Sequence, residues 1–146
     1  MSHSATLPLS ASGNANISAA LQSVVPLAGR ILIAPLFLLS GISKLTAPAA
    51  TIGYIASSGL PFATLGFAIA ALIEVGGSLA LLAGYRTRLV AAVMALFAIA
   101  TALAFHNNLG DLNQFIHFFK NITIAGGLLQ LVAFGAGSLS LDARRG

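Results

Sequence analysis

The chain has very little charge. Seven Lys and Arg and three Asp and Glu make up 7% of its 146 residues, whereas soluble domains carry about 25%. So few charges cannot solvate the surface of a globule, which excludes a water-soluble enzyme. The net charge of +4 comes from basic residues spread along an apolar chain. It therefore predicts no nucleic-acid partner and is better explained by membrane-topology signals.

The chain also lacks cysteine, which excludes disulfides, thiolate metal sites and thiol–disulfide chemistry. The sequence contains no glycine loop followed by Lys and Ser or Thr, and no His-x-x-His or Glu-x-x-His spacing, so neither a nucleotide-phosphate site nor a metal site is predicted. No serine triad is evident. These absences argue against an enzyme that acts alone.

Long apolar segments are abundant, because 58% of the residues are hydrophobic. A membrane-spanning helix needs about 20 mostly apolar residues, and the chain has four such segments. They cover approximately residues 24–43, 62–84, 89–105 and 122–141. We therefore predict an all-α integral membrane four-helix bundle over residues 24–141, in contact with the lipid bilayer.

The basic residues predict an orientation. Arg86 and Arg88 lie in the second connection and Arg144 and Arg145 follow the fourth span, whereas the other side carries only two lysines. By the positive-inside rule, both termini face the cytoplasm. Residues 1–23 lack the basic start of a secretory signal. We expect them to form a disordered cytoplasmic tail, with residues 142–146 as a second tail.

The first outer connection predicts a short helix at the membrane interface. Thr46 has the position of an N-cap with Pro48 in the first turn, and Gly59 and Pro61 would end the helix.

Two charged side chains fall inside the predicted spans. A charge at mid-bilayer is costly and needs a partner. Glu74 lies near the middle of the second span and Arg30 lies on the stripe of the first span that also carries Lys44. We predict an intramembrane Arg30–Glu74 pair. The alternative is that Arg30 reaches the cytoplasmic headgroups and Glu74 stays protonated.

A second group of polar residues is expected at the outer membrane face. It could bind the carbonyl groups of a quinone, or simply be interfacial side chains. Haem ligation by two histidines is disfavoured, because no supporting motif accompanies them. The predicted outer-face cluster consists of Lys44, His106, His117, Lys120 and Asn121, with Asp111 nearby.

Several motifs, in this order and spacing, resemble the DoxX family of small bacterial membrane proteins. They are Arg30 with FLLSGISKL at 37–45, GLP at 59–61, EVGG at 74–77, LLAGYRTR at 81–88, HFFKN at 117–121 and GGLL at 126–129. The resemblance implies a four-helix bundle in the bacterial cytoplasmic membrane. It points to a polar set of Arg30, Lys44, Glu74, His117, Lys120 and Asn121.

Three functions remain open at this stage. The family resemblance and the small size favour an accessory or anchor subunit of a redox system, either quinone-linked or acting in oxidative stress, bound to a protein partner. A quinone-handling oxidoreductase component is the first alternative, although these side chains build no electron carrier without a bound cofactor. The second is a small proton-coupled transporter that uses Glu74. Glycines on the second and fourth spans could serve internal packing or a homo-oligomer: Gly76, Gly77, Gly126 and Gly127.

Overall fold

The protein is all-helical. A computed structural model describes the backbone of residues 10–145 and the side chains of residues 17–145, and no strand occurs within this range. The helices are α1 (Ser10–Thr46), α2 (Pro48–Ser57), α3 (Ala63–Ala83), α4 (Thr87–Phe105) and α5 (Leu112–Phe134), followed by a 3₁₀ turn at Asp142–Arg144. Four of them are long and apolar enough to cross a membrane: Ile17–Thr46 of α1, α3, α4 and α5. This confirms the predicted fold class.

The bundle packs through small residues. α1 lies along α3, and α4 forms the most extensive pair with α5. The core between them is rich in alanine, and Gly77 lies so close to Met94 that a Cβ there would meet its sulfur at 3.0 Å. Many large apolar side chains instead face outward, such as Leu32 at 79% exposure. Close approach through small residues with an apolar exterior is typical of helices packed in lipid.

The fourth span differs from its predicted bounds of 122–141, which were wrong at both ends. α5 begins at Leu112, because the Asp111 carboxylate accepts a hydrogen bond from the Gln114 N–H at 2.9 Å. It ends at Phe134, where Gly135 takes a φ of 80°. Asp111 and Gln114 are three residues apart, which is the N-cap to N3 spacing of a capping box. This signal could have located the helix start.

The short helix predicted after the first span is present as α2, but Thr46 does not cap it. Thr46 is the last residue of α1 and its hydroxyl donates to the Ser43 carbonyl at 2.9 Å. Ala47 takes the N-cap position, without a side-chain hydrogen bond, and Pro48 occupies the first turn. Proline suits this place because the first helical N–H groups have no intrahelical acceptor.

The start of α1 differs from the expected disordered tail at residues 1–23. The helix runs without interruption from Ser10 through residue 23, so residue 23 is not a structural boundary. Residues 1–9 of that tail lie outside the described residues. Alanine and leucine, which have high helix propensity, continue the helix beyond the apolar span.

The C-terminal segment is fastened to the turn between α3 and α4. Leu141 and Asp142 donate their N–H groups to the carbonyls of Ala83 and Gly84, at 3.1 and 2.9 Å. In return, the Asp142 carboxylate accepts from the Arg86 and Thr87 N–H groups at 2.7 and 2.8 Å. The beginning of α1, the α3–α4 turn and the C-terminus thus share one end of the bundle. We call it the arginine end, for Arg30, Arg86, Arg88, Arg144 and Arg145.

The opposite end, which we call the histidine end, contains α2 and the α4–α5 connection. It carries Lys44, His106, His117 and Lys120. Tyr54 of α2 stacks on Phe105 at the end of α4, with ring centroids 5.5 Å apart. This contact holds α2 over the bundle.

Candidate functional site

An ion pair between α1 and α3 lies at the centre of the candidate site. Lys44 Nζ is 2.9 Å from each carboxylate oxygen of Glu74 and hydrogen-bonds to Oε1. Ser40, one turn earlier, accepts from Lys44 at 2.8 Å and donates to Glu74 Oε1 at 3.2 Å. Glu74 is 5% exposed, and its Oε2 contacts the Lys44 ammonium as an ion pair without a geometrically defined hydrogen bond from the described residues. A carboxylate has about four acceptor positions, so Glu74 keeps the capacity to accept from a further donor beside Lys44 and Ser40.

The local structure of α3 supports this position of Glu74. Residues Leu72–Gly76 form a π-helical turn, and the Ser78 hydroxyl donates to the Glu74 carbonyl. A π-turn interrupts the regular hydrogen-bond ladder and is frequent at functional sites. On the facing helix, Gly41 allows α3 to approach, since a Cβ there would lie 3.0 Å from the Glu74 Cβ.

The predicted Arg30–Glu74 pair is wrong. Arg30 is fully buried, but at the arginine end, where its guanidinium donates only to backbone carbonyls. Nη1 lies 3.2 and 2.9 Å from the carbonyl oxygens of Leu81 and Leu82, and Nη2 lies 2.5 Å from that of Leu139. The alternative prediction also fails, because Arg30 is not extended toward headgroups.

Arg30 does not reach Glu74 because of the register between α1 and α3. Gly41 faces Glu74, so Lys44 is three residues away along α1 and Arg30 is eleven, or about 17 Å at 1.5 Å per residue. Lys44 therefore takes the carboxylate. Arg30 instead donates to carbonyls in the last turn of α3, at the negative end of the helix dipole, where the Leu81 carbonyl also accepts from the Gly84 N–H.

The two histidines of the predicted cluster do come together. Their rings stack with centroids 5.0 Å apart, and His106 Nδ1 lies 2.9 Å from Gln114 Oε1. Lys120 Nζ is 2.8 Å from His117 Nδ1. Since an ammonium can only donate, His117 accepts at Nδ1 and carries its ring proton on Nε2.

A cavity of about 480 Å³ joins these two groups, and we call it the central cavity. Its polar lining combines the Glu74 ion pair with residues of the histidine end, and its apolar lining comes from α1, α2, α3 and α4. Four members of the predicted outer-face cluster line the cavity, and the fifth, His117, hydrogen-bonds to the lining residue Lys120. The polar residues are Ser40, Lys44, Thr51, Tyr54, Glu74, Thr101, His106, Lys120 and Asn121.

Two residues that hydrogen-bond to members of the candidate site, Ser40 and Gln114, were not identified from the sequence. Ser40 bridges Lys44 and Glu74 from one turn away, and that four-residue spacing on one helix face was the available signal. Gln114 was assigned to a loop, although it belongs to the first turn of α5. Asp111, expected near the cluster, instead caps α5.

The geometry does not suit haem ligation by the two histidines. Axial ligation requires ring nitrogens that point at one iron from opposite sides. The His106 and His117 rings instead face each other at an interplanar angle of 25°, and both Nδ1 atoms are engaged in hydrogen bonds. Residues 17–145 contain no group of three or more side chains placed to hold a metal ion.

Comparisons with known proteins agree with these features. Residues 25–107 match the family model described as DoxX. The chain is 40% identical over 122 residues to Inner membrane protein YqjF of Escherichia coli (strain K12), covering 84% of this chain and 92% of that protein. It is 33% identical over 130 residues to Inner membrane protein YphA of the same organism, covering 86% and 93%. No solved structure matches.

Proposed function

The chain belongs to the DoxX family of membrane proteins, and on that basis we propose that it is an accessory subunit of a redox system whose central cavity binds a quinone. The observation that supports this most is the form of the cavity. The buried Glu74–Lys44 ion pair and Lys120 lie at its polar side, and aliphatic and aromatic walls continue from there. Ligand sites are commonly concave, mostly apolar and equipped with a few converging polar groups.

A quinone matches both parts of this cavity. Its ring carbonyls accept hydrogen bonds, which the Lys120 ammonium and the Asn121 amide can donate. Its reduced form has hydroxyl groups, which can donate to a remaining acceptor position of the Glu74 carboxylate. The apolar side chains of Phe37, Ile69 and Phe97 would surround the ring and the start of its tail. The oxidised and the reduced quinone would therefore both find hydrogen-bond partners in the central cavity.

The side chains available to the chain support an accessory role. The chain has no cysteine, and the described side chains provide no cluster of metal ligands. Electron transfer to a quinone needs a redox cofactor that these side chains do not hold by themselves. In the proposal, a protein partner supplies the electron carrier and this subunit presents the quinone.

Binding of a short-chain quinone tests the proposal. Purified protein in detergent is titrated with ubiquinone carrying one isoprene unit, by equilibrium dialysis. We expect saturable binding that weakens at least fivefold in Lys120→Met, which removes the donor. Arg145→Met is the matched control, because Arg145 lies at the arginine end over the Tyr85 ring. Absence of saturable binding, or equal loss in both variants, contradicts the quinone site.

The accessory role has a separate test. The protein gently extracted from its host membrane should carry a redox partner, identified by native mass spectrometry, and should show no quinone reductase turnover once that partner is removed. Turnover by the isolated chain would contradict the accessory role and leave the quinone site standing.

We also propose that the chain lies in a bacterial inner membrane with both termini in the cytoplasm. The names of its relatives and the arginines collected at one end support this location. Because the chain has no cysteine, single cysteines at positions 2 and 108 can be labelled specifically in intact cells. Only the cysteine at position 108 should react with an impermeant maleimide, and the reverse result overturns the orientation.

A further inference from the structure

We propose that a groove between α1 and α5, at the arginine end, binds an anionic phospholipid. One acyl chain would lie between the two helices and the phosphate would lie against Arg88. This groove is separate from the central cavity and shares no lining residue with it.

The groove has the volume and walls for an acyl chain. It encloses about 970 Å³ between the first half of α1 and the second half of α5. Gly29 has no atom within 4 Å of the place where a Cβ would lie, and the nearest atom at Gly127 is Ile33 Cδ1 at 3.4 Å. Glycine on both walls therefore leaves an open space between the helices. The apolar lining is Val25, Pro26, Ile33, Leu131 and Phe134.

The groove becomes polar toward the arginine end. Gln22 and Ser23 line it there, and Pro26 cannot donate the N–H that would bond the Gln22 carbonyl. The segment after α5 crosses α1 at this level, where Ser138 Oγ donates to Ser23 Oγ at 2.6 Å. Apart from Gln130 of α5, the groove is therefore apolar along the helices and polar toward the arginine end, which is the polarity of a phospholipid.

The positive charge of Arg88 indicates that the lipid headgroup is negatively charged. Arg88 lines a neighbouring pocket that shares Gly135 with the groove, and a Cβ on Gly135 would be 3.4 Å from its Nε and 3.7 Å from its Nη2. Within the described residues, Arg88 makes no hydrogen bond or ion pair. Asp142, the acidic residue nearest in the fold, is occupied by two backbone N–H groups. An unpaired guanidinium next to a groove in lipid favours a phosphate.

A second copy of the chain is a less favourable occupant. Two copies related by an axis along the membrane normal present the same patch to each other. Such a dimer would bring their arginine ends together at the same depth, and like charges repel. A phospholipid with a net negative charge neutralises the same residues.

Competition between two lipids in native mass spectrometry tests the proposal. The full chain in detergent receives equal amounts of phosphatidylglycerol and phosphatidylcholine of matched acyl chains. We expect phosphatidylglycerol adducts to exceed phosphatidylcholine adducts about fivefold, the effect of one arginine near an anionic surface. Arg88→Gln should bring the ratio close to one. Because Arg88 is exposed, this variant should keep the fold.

A matched pair of glycine variants tests the acyl-chain position. Gly29→Leu should fill the groove and reduce adducts of both lipids, whereas Gly126→Leu should not. Both positions have open space around a Cβ, but Gly126 lies outside the groove. Equal adducts of the two lipids in the wild type, an unchanged ratio in Arg88→Gln, or equal behaviour of the two glycine variants overturns the proposal. So does a homodimer that excludes lipid.

Discussion

Gly41 of α1 and Glu74 of α3 face each other so closely that a Cβ on Gly41 would lie 3.0 Å from the Glu74 Cβ and 2.7 Å from Val75 Cγ2. This contact aligns the two helices. It places Lys44, one turn further along α1, against the Glu74 carboxylate, and leaves Arg30 far from it. The register of one helix pair thus selects which cation pairs with the buried acid.

We expect Gly41→Ala to destabilise the protein by about 1–3 kcal/mol, the usual cost of overpacking a closely packed interface. The added methyl group must push α1 away from α3. Gly29→Ala on the same helix is the control, because its Cβ meets no atom within 4 Å. Thermal unfolding of both variants in detergent measures the difference. Equal midpoints would mean that the contact between α1 and α3 does not limit stability.

Removal of Lys44 should leave the Glu74 charge buried without its partner. We expect Lys44→Met to cost about 3 kcal/mol, the low end for breaking a buried pair, because the Lys44 side chain is 27% exposed. The double variant with Glu74→Gln should recover a large part of this loss. A double-mutant cycle of unfolding free energies gives the coupling. Additive effects would show that the two residues do not interact.

Glu74→Gln also distinguishes the proposed function from proton-coupled transport. If Glu74 exchanged a proton for a substrate, this variant would abolish flux in proteoliposomes with a pH gradient. We expect no such flux in either protein, because Lys44 holds the carboxylate in an ion pair. Flux that depends on Glu74 would overturn the accessory role.

Arg30 should be among the most sensitive positions. Its replacement by Leu leaves the partly buried carbonyls of Leu82 and Leu139 without the guanidinium donor, at about 1–3 kcal/mol for each unsatisfied group. The Leu81 carbonyl keeps the Gly84 N–H as a donor. Arg30→Lys should restore less than half, since one ammonium cannot copy the two-pronged guanidinium. Unfolding midpoints measure both, with Arg88→Gln as the exposed control. A lysine variant as stable as the wild type contradicts this role.

The attachment of the C-terminal segment to the α3–α4 turn should weaken at acid pH. Burial raises the pKa of Asp142, but hydrogen bonds from the Thr87 and Arg86 backbone and the Arg145 charge outweigh it, so its pKa lies below the ordinary 3.8. Asp142 thus stabilises the folded state fully above pH 3.8. This contribution is lost as the pH falls below 3.8 through the folded pKa, because the unfolded state binds the proton first.

Unfolding midpoints of the wild type and Asp142→Asn, measured from pH 6 to pH 2.5, check this dependence. The wild type should be more stable at pH 6, and the difference should shrink as Asp142 takes up its proton. A constant difference across this range would contradict a role for the ionised carboxylate.

The sequence indicated which residues gather around the central cavity, but it did not indicate which of them pair with each other. Lys44, Glu74, His106, Lys120 and Asn121 all line the central cavity, because polar side chains in an apolar bundle collect where they can share partners. The pairing of Glu74 was wrong, since axial distance along one helix cannot reveal how far its neighbour is shifted. The start of α5 was misplaced because apolarity was weighed above the capping signal at Asp111.

The sequence by itself determined the membrane class, the four long helices and the family, since apolar length, scarce charge and ordered motifs do not depend on how the helices pack. Tertiary structure alone decided the register of α1 against α3, the use of Arg30 as a cap for α3, and the stacking of His106 on His117. Each depends on close approach between helices, where a glycine or an unsatisfied carbonyl matters only once its neighbour across the bundle is in place.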